Sequence, residues 1–309
     1  MTKNISLIII TGQTATGKTD LAFQYAKKYN GEIINFDSRQ IYKYLDIITG
    51  KDIPKNSKFK IKNSKLTYYL ITSNQPQSTK LWLYDIITPD QYFSSFEYIK
   101  LAQKVIKDIK NRGKTPILVG GSYFYLKHLL YGFDYKVPPN FKLREELNKK
   151  SVNELQDILK GLSSEKTLPK MNQSDWHNPR RLIRRIEILQ GQSFSRTVLK
   201  KESQKLLEKN SLFIGLRYQN KDKLRQAIIK RVEKRLAQGA IDEVKRILKM
   251  GYKKTDPGLK TIGYKQLIEY LEGKVSKEKA IENWITAEIQ YAKRQYTFMK
   301  KDKNINWKD

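Results

Sequence analysis

The 309-residue chain contains no cysteine, only two histidines, and 31 acidic side chains against 61 basic ones. Without cysteine there is no disulfide, zinc–thiolate site, iron–sulfur cluster or thiol nucleophile. With His128 and His177 as its only imidazoles, a multi-histidine metal site is not expected, and both read as structural or surface residues. Long apolar runs are missing too: Leu7 to Ile10 is typical of what there is, far short of the roughly 20 residues that cross a bilayer. The start, Met1-Thr2-Lys3-Asn4, leads straight into a strand-like segment with no cleavable signal pattern. These absences predict a soluble, cytoplasmic protein with no membrane partner.

What is present argues for a folded chain: 39% hydrophobic residues, 19 Tyr and 11 Phe, with no low-complexity tract and no internal repeat. The length fits one large or two modest domains. A net charge of +30 calls for a polyanionic partner, because neutralising phosphates releases condensed counterions, and nucleic acid leads that class. A lysine-rich coding bias would inflate Lys without any function, but it explains clustered arginines less well.

Along the chain, Ser6 to Thr11 is a β-branched apolar run that stops at Gly12, and Gly17-Lys18-Thr19 opens a helical stretch through Tyr29. Glu32 to Phe36 reads as a second strand ending at Asp37, so the chain begins β-α-β. Residues 51 to 79 are rich in Lys, Asn, Ser and Thr, carry Pro54 and Pro76, and read as a poorly packed excursion with a hairpin around Leu66 to Thr72. A strand from Leu81 to Ile87, a helix from Ser95 to Asn111 and a buried strand Pro116 to Val119 follow, the last stopping at Gly120-Gly121-Ser122. Alternating elements of this length predict an α/β fold: a parallel sheet flanked by helices, of the P-loop NTPase-like kind. Past Leu130 the spacing turns helical, with no strand until Leu212 to Leu216. The expected organisation is a P-loop catalytic core of residues 1–131 plus 201–309, with 132–200 as an inserted all-helical domain. The rest reads as helices near 221–238, 241–249, 264–272 and 277–300, closing with a strand at Asn304 to Trp307.

The chemistry starts at Gly12-Gln13-Thr14-Ala15-Thr16-Gly17-Lys18-Thr19, which satisfies G-x-x-x-x-G-K-[ST]. Its glycines let backbone N–H groups turn toward phosphate oxygens, the helix start adds a favourable dipole, Lys18 adds a charge and Thr19 offers a hydroxyl to Mg²⁺. A hydrolysing ATPase would show an apolar strand ending in Asp, whereas Pro116 to Val119 ends Gly-Gly-Ser. Asp37, at the carboxyl end of its strand, is the acid best placed to face the loop, as a Mg²⁺ ligand or a general base. Its bland alternative is the N-cap of a helix over Ser38-Arg39-Gln40-Ile41-Tyr42. Arg180-Arg181-Leu182-Ile183-Arg184-Arg185 sets four guanidiniums on about one and a half helical turns beside an apolar side. That arrangement suits a phosphate backbone, as it suits a solvated helix face. Arg231 and Arg235, at i and i+4, share a helical face and could clamp phosphates or pair with neighbouring acids. Lys260-Thr261-Ile262-Gly263-Tyr264-Lys265 is a glycine turn between cations, with an aromatic fit for base stacking.

Seven pieces occur in a telling order: Gly12 to Thr19, Asp37 to Tyr42, Asp46 to Lys51, Val119 to Tyr125, Asn178 to Leu182, Ile262 to Leu267 and Lys293-Arg294-Gln295. Together, almost end to end, they resemble the tRNA dimethylallyltransferase (IPP transferase) family. The resemblance implies transfer of a dimethylallyl group from dimethylallyl diphosphate to N6 of the adenosine immediately 3′ of a tRNA anticodon, with release of diphosphate, by a monomer that uses Mg²⁺. It implies that residues Gly12 to Thr19 bind the diphosphate, that Thr19 contributes to Mg²⁺, that Arg231 or Arg235 neutralises the leaving charge, and that Asp37 accepts the N6 proton. The tRNA contacts it implies are Asp37, Ser38, Arg39, Gln40, Ser122, Arg144, Arg180 to Arg184 and Lys260 to Lys265. The adenine must leave its stack to present N6, so a channel is expected.

Three departures stand out. Ser122 occupies a turn position where Thr is usual, keeping the hydroxyl. The 51–80 excursion and Trp82-Leu83-Tyr84-Asp85 replace a shorter segment. Lys260 and Lys265 stand where arginines are usual, which loses bidentate geometry. Two other classes share parts of the pattern. A P-loop small-molecule kinase would use the same cradle but gives no reason for the charge; a non-catalytic RNA-binding protein would carry the loop as a relic.

Overall fold

The computed structural model describes residues 5–54, 57–63, 66–71, 78–133, 137–162, 171–191 and 206–309. Its chain contacts divide into two compact units, Met1–Leu130 with Lys205–Asp309, and Tyr131–Gln204.

The first unit is built on one eight-stranded sheet of order β3-β4-β5-β2-β6-β1-β7-β8. The strands are β1 (Leu7–Gly12), β2 (Gly31–Asn35), β3 (Ser57–Asn63), β4 (Leu66–Ile71), β5 (Thr79–Trp82), β6 (Thr115–Val119), β7 (Ser211–Leu216) and β8 (Asn306–Lys308). From β5 through β8 the neighbours run parallel. All six residues of β1 are buried, which is why its sequence is a continuous apolar run rather than an alternation. Helix α1 (Lys18–Lys28) packs on β1, β2 and β6, and α2 (Ser95–Asn111) on β2 and β6. A capping box fixes the start of α2: Ser94 Oγ accepts from Glu97 N and the Glu97 carboxylate accepts from Ser94 N. Helices α3 (Tyr123–Tyr131), α8 (Lys221–Ala237), α9 (Ala240–Lys249), α10 (Tyr264–Leu271) and α11 (Lys277–Met299) complete this unit.

The 51–79 segment corrects its sequence reading. Rather than a loose excursion, β4 adds to the sheet antiparallel to β5 and β3 antiparallel to β4, and Tyr69 and Ile71 pack on the core around Ile8, Ile33 and Ile117. Thr72 and Pro76 lie outside the described residues. The strand expected over Leu81 to Ile87 stops at Trp82, because the backbone turns left-handed at Leu83 (φ 65°) and Asp85 (φ 53°). Both are held: Asn35 Nδ2 donates to Leu83 O at 3.0 Å, and Lys51 and Tyr69 donate to the Asp85 carboxylate. At the sheet's outer edge, Lys58 and Lys60 on β3 are exposed beside Phe59 and Ile61, which are 40% and 64% exposed.

The second unit holds α4 (Phe141–Leu147), α5 (Val152–Leu162), α6 (Gln173–Trp176) and α7 (Pro179–Gln190). Asn178 caps α7 ahead of Pro179, the residue best suited to a first helical position. Leu147, Leu155, Leu159, Leu182, Ile183 and Ile186 form its core. Of the 132–200 stretch read as helical, residues 134–136, 163–170 and 192–200 lie outside the described residues.

Candidate active site

The glycine loop begins where β1 ends. Gly12 has φ 132°, and a Cβ there would run into the carbonyl of Leu216 on β7, so only glycine fits. Gln13 N donates to Leu216 O at 3.0 Å and Thr14 N to Gln295 Oε1 at 2.9 Å. Those two amides are already paired, which corrects the expectation that every residue from Gly12 to Thr19 serves an anion directly. Gln13 and Thr14 hold the loop; the donors left for an anion run from Ala15 to Thr19, where the first N–H groups of α1 have no intrahelical partner. The Gln13 side chain ties the loop down further, accepting from Tyr218 N (2.8 Å) and donating to Ala292 O (3.4 Å). Lys18 Nζ and Thr16 Oγ1 both donate to Gln13 O.

Lys18 is half-buried. Burial, and then the Arg231 guanidinium, lower its ammonium from the ordinary 10.5 to about 7, against the opposing pull of Asp37 and Glu288. Arg231 comes from α8, and its Nη1 donates to Thr14 Oγ1 while its Nε is buried with no hydrogen-bond partner. Arg235, one turn later, is 5% exposed and donates from Nη1 to Ile48 O. Burial and then Arg231 bring its guanidinium down to about 9. Arg231 is therefore the cation that reaches the glycine loop, while Arg235 seats against the turn at Ile48 to Gly50.

Asp37 follows the end of β2. Its N–H donates to Asn35 Oδ1 (2.8 Å), and its own Oδ1 accepts from Arg39 N (2.9 Å), an Asx turn. Residues 38–41 form turns, not a helix, so the N-cap alternative does not hold. Oδ2 lies over Gly121, 3.5 Å from where a Cβ would stand. The chain is tight here: a Cβ on Gly120 would come within 2.9 Å of Asp37 N. Ser122 Oγ accepts from Ser38 N at 2.9 Å and meets Ser38 Oγ at 2.9 Å. Tyr291 shares this corner, where burial first and then Asp37 push its phenol above the ordinary range.

Sequence reasoning gave Gln295 no role, yet it spans the two halves of the site. Its Oε1 takes Thr14 N of the glycine loop and its Nε2 donates to Gly121 O at 3.0 Å. Glu288 and Gln295 lie on the stripe of α11 that also buries Trp284, Ala292 and Met299. A polar residue inside an apolar stripe of helical spacing is the signal that could have found them. A separate cleft of about 880 Å³, lined by Lys43, Tyr44, Asp46, Gly50, Lys51 and Tyr69 among others, includes neither Asp37 nor the glycine loop in its lining.

Several residues that the resemblance assigned to tRNA are placed otherwise. Tyr264 is fully buried, and its hydroxyl donates to Glu243 Oε1, so it cannot stack on a base. Thr261 is buried with its hydroxyl on Gly258 O (2.6 Å), and Gly263 packs against Ile48 and Trp284; Lys260 and Lys265 remain exposed and Ile262 half-buried. In the second unit, Leu182 and Ile183 are core residues and present no side chain to a partner. Arg144 and Arg184 both bind Glu187, which is 2% exposed, and Arg184 Nη2 also donates to Val137 O at 2.7 Å. Arg180 and Arg181 are exposed, Arg181 pairing with Asp175. Arg39 reaches Pro257 O at 3.4 Å, and Gln40 donates to Gly50 O at 2.7 Å. His128 faces Ser95 and Phe124, and His177 the Gln173 carbonyl, consistent with structural roles.

Comparison with known proteins agrees in sequence and in fold. Residues 40–302 match the family model described as IPP transferase. A tRNA dimethylallyltransferase of Thermoanaerobacter sp. (strain X514) is 35% identical over 310 residues, covering 98% of this chain and 91% of that protein. The crystal structure of the full-length tRNA isopentenylpyrophosphate transferase from Bacillus halodurans superposes with a TM-score of 0.66 at 29% identity, covering 98% of this chain and 89% of its own. That of a eukaryotic dimethylallyltransferase acting on tRNA gives 0.69 at 26% identity, over 95% of this chain and 69% of its own. The family match begins at Gln40, whereas the similarity to the relatives extends over nearly the whole chain, glycine loop included. The chain belongs to the IPP transferase family.

Proposed function

We propose that this chain transfers a dimethylallyl group from dimethylallyl diphosphate to N6 of the adenosine 3′ of a tRNA anticodon, in the cytoplasm and as a monomer. The observation that carries the reading is the convergence of a cation-lined glycine cradle and a turn-held carboxylate, with Gln295 spanning both. The amides from Ala15 to Thr19, Lys18 and Arg231 would hold the diphosphate. The bond from carbon to the diphosphate oxygen breaks as N6 attacks that carbon, so negative charge grows on the leaving group where these donors are aimed. Asp37 would take the proton that N6 loses, its Oδ1 fixed by Arg39 N and Oδ2 left to act.

Mg²⁺ fits the donor set. Among the described residues no group of three or more acids or imidazoles gathers as a cage, but Thr19 follows Lys18 in the first turn of α1 and offers a hard oxygen. Mg²⁺ typically takes few protein ligands, substrate phosphates and water. When bound, it would neutralise diphosphate charge. The core around β1 and α1 is read as P-loop NTPase-like and the 132–200 stretch as a helical insertion that touches tRNA through exposed cations such as Arg180 and Arg181. The +30 charge supports a polyanionic substrate.

The test is incubation with labelled dimethylallyl diphosphate, Mg²⁺ and unmodified tRNA, followed by nucleoside digestion. Label on adenosine N6 is expected, with Asp37→Asn slowing transfer about 10²- to 10⁴-fold, as loss of a general base does, while tRNA affinity holds. Label elsewhere, or ATP turnover without tRNA, would overturn the reading.

A further inference from the structure

We propose that Glu243 is a positioning residue for the diphosphate cations, acting through the turn at Asp46 to Gly50; the proposal rests on the diphosphate reading of the glycine loop. Glu243 lies one turn into α9 and is 3% exposed. Its Oε2 accepts from Asp46 N at 2.9 Å and Ile47 N at 2.7 Å, and its Oε1 from Ile48 N at 3.2 Å and from the Tyr264 hydroxyl. One carboxylate thus gathers three successive backbone donors at the head of a tight turn, which Gly50 N closes onto Asp46 O at 3.0 Å. Four hydrogen bonds on a buried carboxylate define its position closely.

The turn it holds is the seat of the two arginines. Ile48 O, whose N–H Glu243 has taken, accepts from Arg235 Nη1. Gly50, at φ 64°, lies so close to the arginines that a Cβ there would meet Arg235 Nη2 and come within 3.4 Å of Arg231 Nη2. Burial and then the neighbouring Arg231 lower the Arg235 guanidinium, and two like charges this close repel. Something rigid must keep Arg231 against Thr14 instead of letting the pair splay toward solvent. Gln40 braces the same turn from the other side, donating to Thr49 O and Gly50 O. Glu243 touches neither the glycine loop nor Asp37, so its influence passes through the turn to Arg235 and Arg231. Tyr264, placed among the tRNA contacts by resemblance, belongs instead to this support.

The experiment measures the Kd of inorganic diphosphate and of tRNA for the full chain by calorimetry. Glu243→Gln turns an all-acceptor group into one that points N–H toward N–H, and the Kd for diphosphate should rise about tenfold, the scale of one mismatched buried hydrogen bond. The Kd for tRNA should stay within about twofold. Tyr264→Phe, which removes one donor and leaves the three amides, should raise the diphosphate Kd about threefold and keeps the proposal testable if Glu243→Gln does not fold. In an Arg231→Ala background the effect of Glu243→Gln should largely vanish, because the residue acts through that arginine. Wild-type affinity in both variants, equal losses for tRNA and diphosphate, or an undiminished effect without Arg231 would each overturn the proposal. A wild-type protein that binds no diphosphate would instead defeat the reading on which it rests.

Discussion

Lys18 gives the sharpest quantitative test. In the free protein its ammonium titrates at about 7, lowered by burial and by Arg231, so at pH 8 roughly nine in ten molecules hold it neutral. A bound diphosphate sets negative charge beside it and draws its pKa back up. Binding above pH 7 must then take up a proton, and the Kd for diphosphate should rise about fivefold from pH 7 to 8 and about tenfold from 8 to 9, about 1 and about 1.4 kcal/mol. Calorimetry at pH 8 in two buffers of different ionisation enthalpy would count that proton directly, at about 0.9 per diphosphate. Lys18→Met removes the residue but leaves diphosphate's own titration, so the difference between the two proteins isolates Lys18. Equal proton uptake by wild type and Lys18→Met would refute the reasoning.

The same lysine should cost stability. Its pKa is lowered on folding, so the unfolded chain binds more protons between pH 7 and 10.5, and stability from this group rises with pH across that window. Lys18→Met should therefore stabilise the unliganded protein at pH 7 by about 1–2 kcal/mol, seen in calorimetric scanning as a raised melting temperature; a lower melting temperature would contradict it. Glu32, by contrast, adds stability, in a lower pH window. Burial alone would raise its carboxyl, but hydrogen bonds from Arg112 and Trp82 hold it below the ordinary 4.5, so its contribution is present above about pH 4.5 and lost as pH falls through the folded value. Arg112→Ala breaks a two-pronged pair at 2.6 and 2.7 Å to this fully buried acid and should cost about 2–4 kcal/mol in urea unfolding at pH 7, with the difference shrinking as pH falls through the folded value of Glu32.

What the sequence disclosed was local chemistry. The strand, glycine loop and helix from Leu7 to Lys28 were legible because apolar run, φ-positive glycines and helix start all lie within about twenty residues. The capping asparagines of α7 and α8 act over equally short distances. What stayed hidden was long-range. The i, i+4 spacing of Arg231 and Arg235 put both on one face but could not say which reaches Thr14, 217 positions earlier in the chain. Tyr264 read as a stacking aromatic because nothing near it announces Glu243, whose carboxylate its hydroxyl meets in the core. The strand expected through Ile87 failed at Leu83 and Asp85, whose left-handed backbone is maintained by Asn35, Lys51 and Tyr69, all distant in sequence. Leu182 and Ile183 were carried into a list of contacts by motif position, although their own apolarity already marked them as interior.

The outermost strand, β3, has a bearing on how copies of this protein behave at high concentration. A sheet edge with unpaired backbone groups and exposed Phe59 and Ile61 would ordinarily invite another chain to add on and seed aggregation. Here Lys58 and Lys60 alternate with those apolar residues, so a second copy aligning its own β3 would bring ammonium against ammonium at every other position. Among the described residues β3 has no strand on its outer side, and its lysines are what discourages that edge from self-templating.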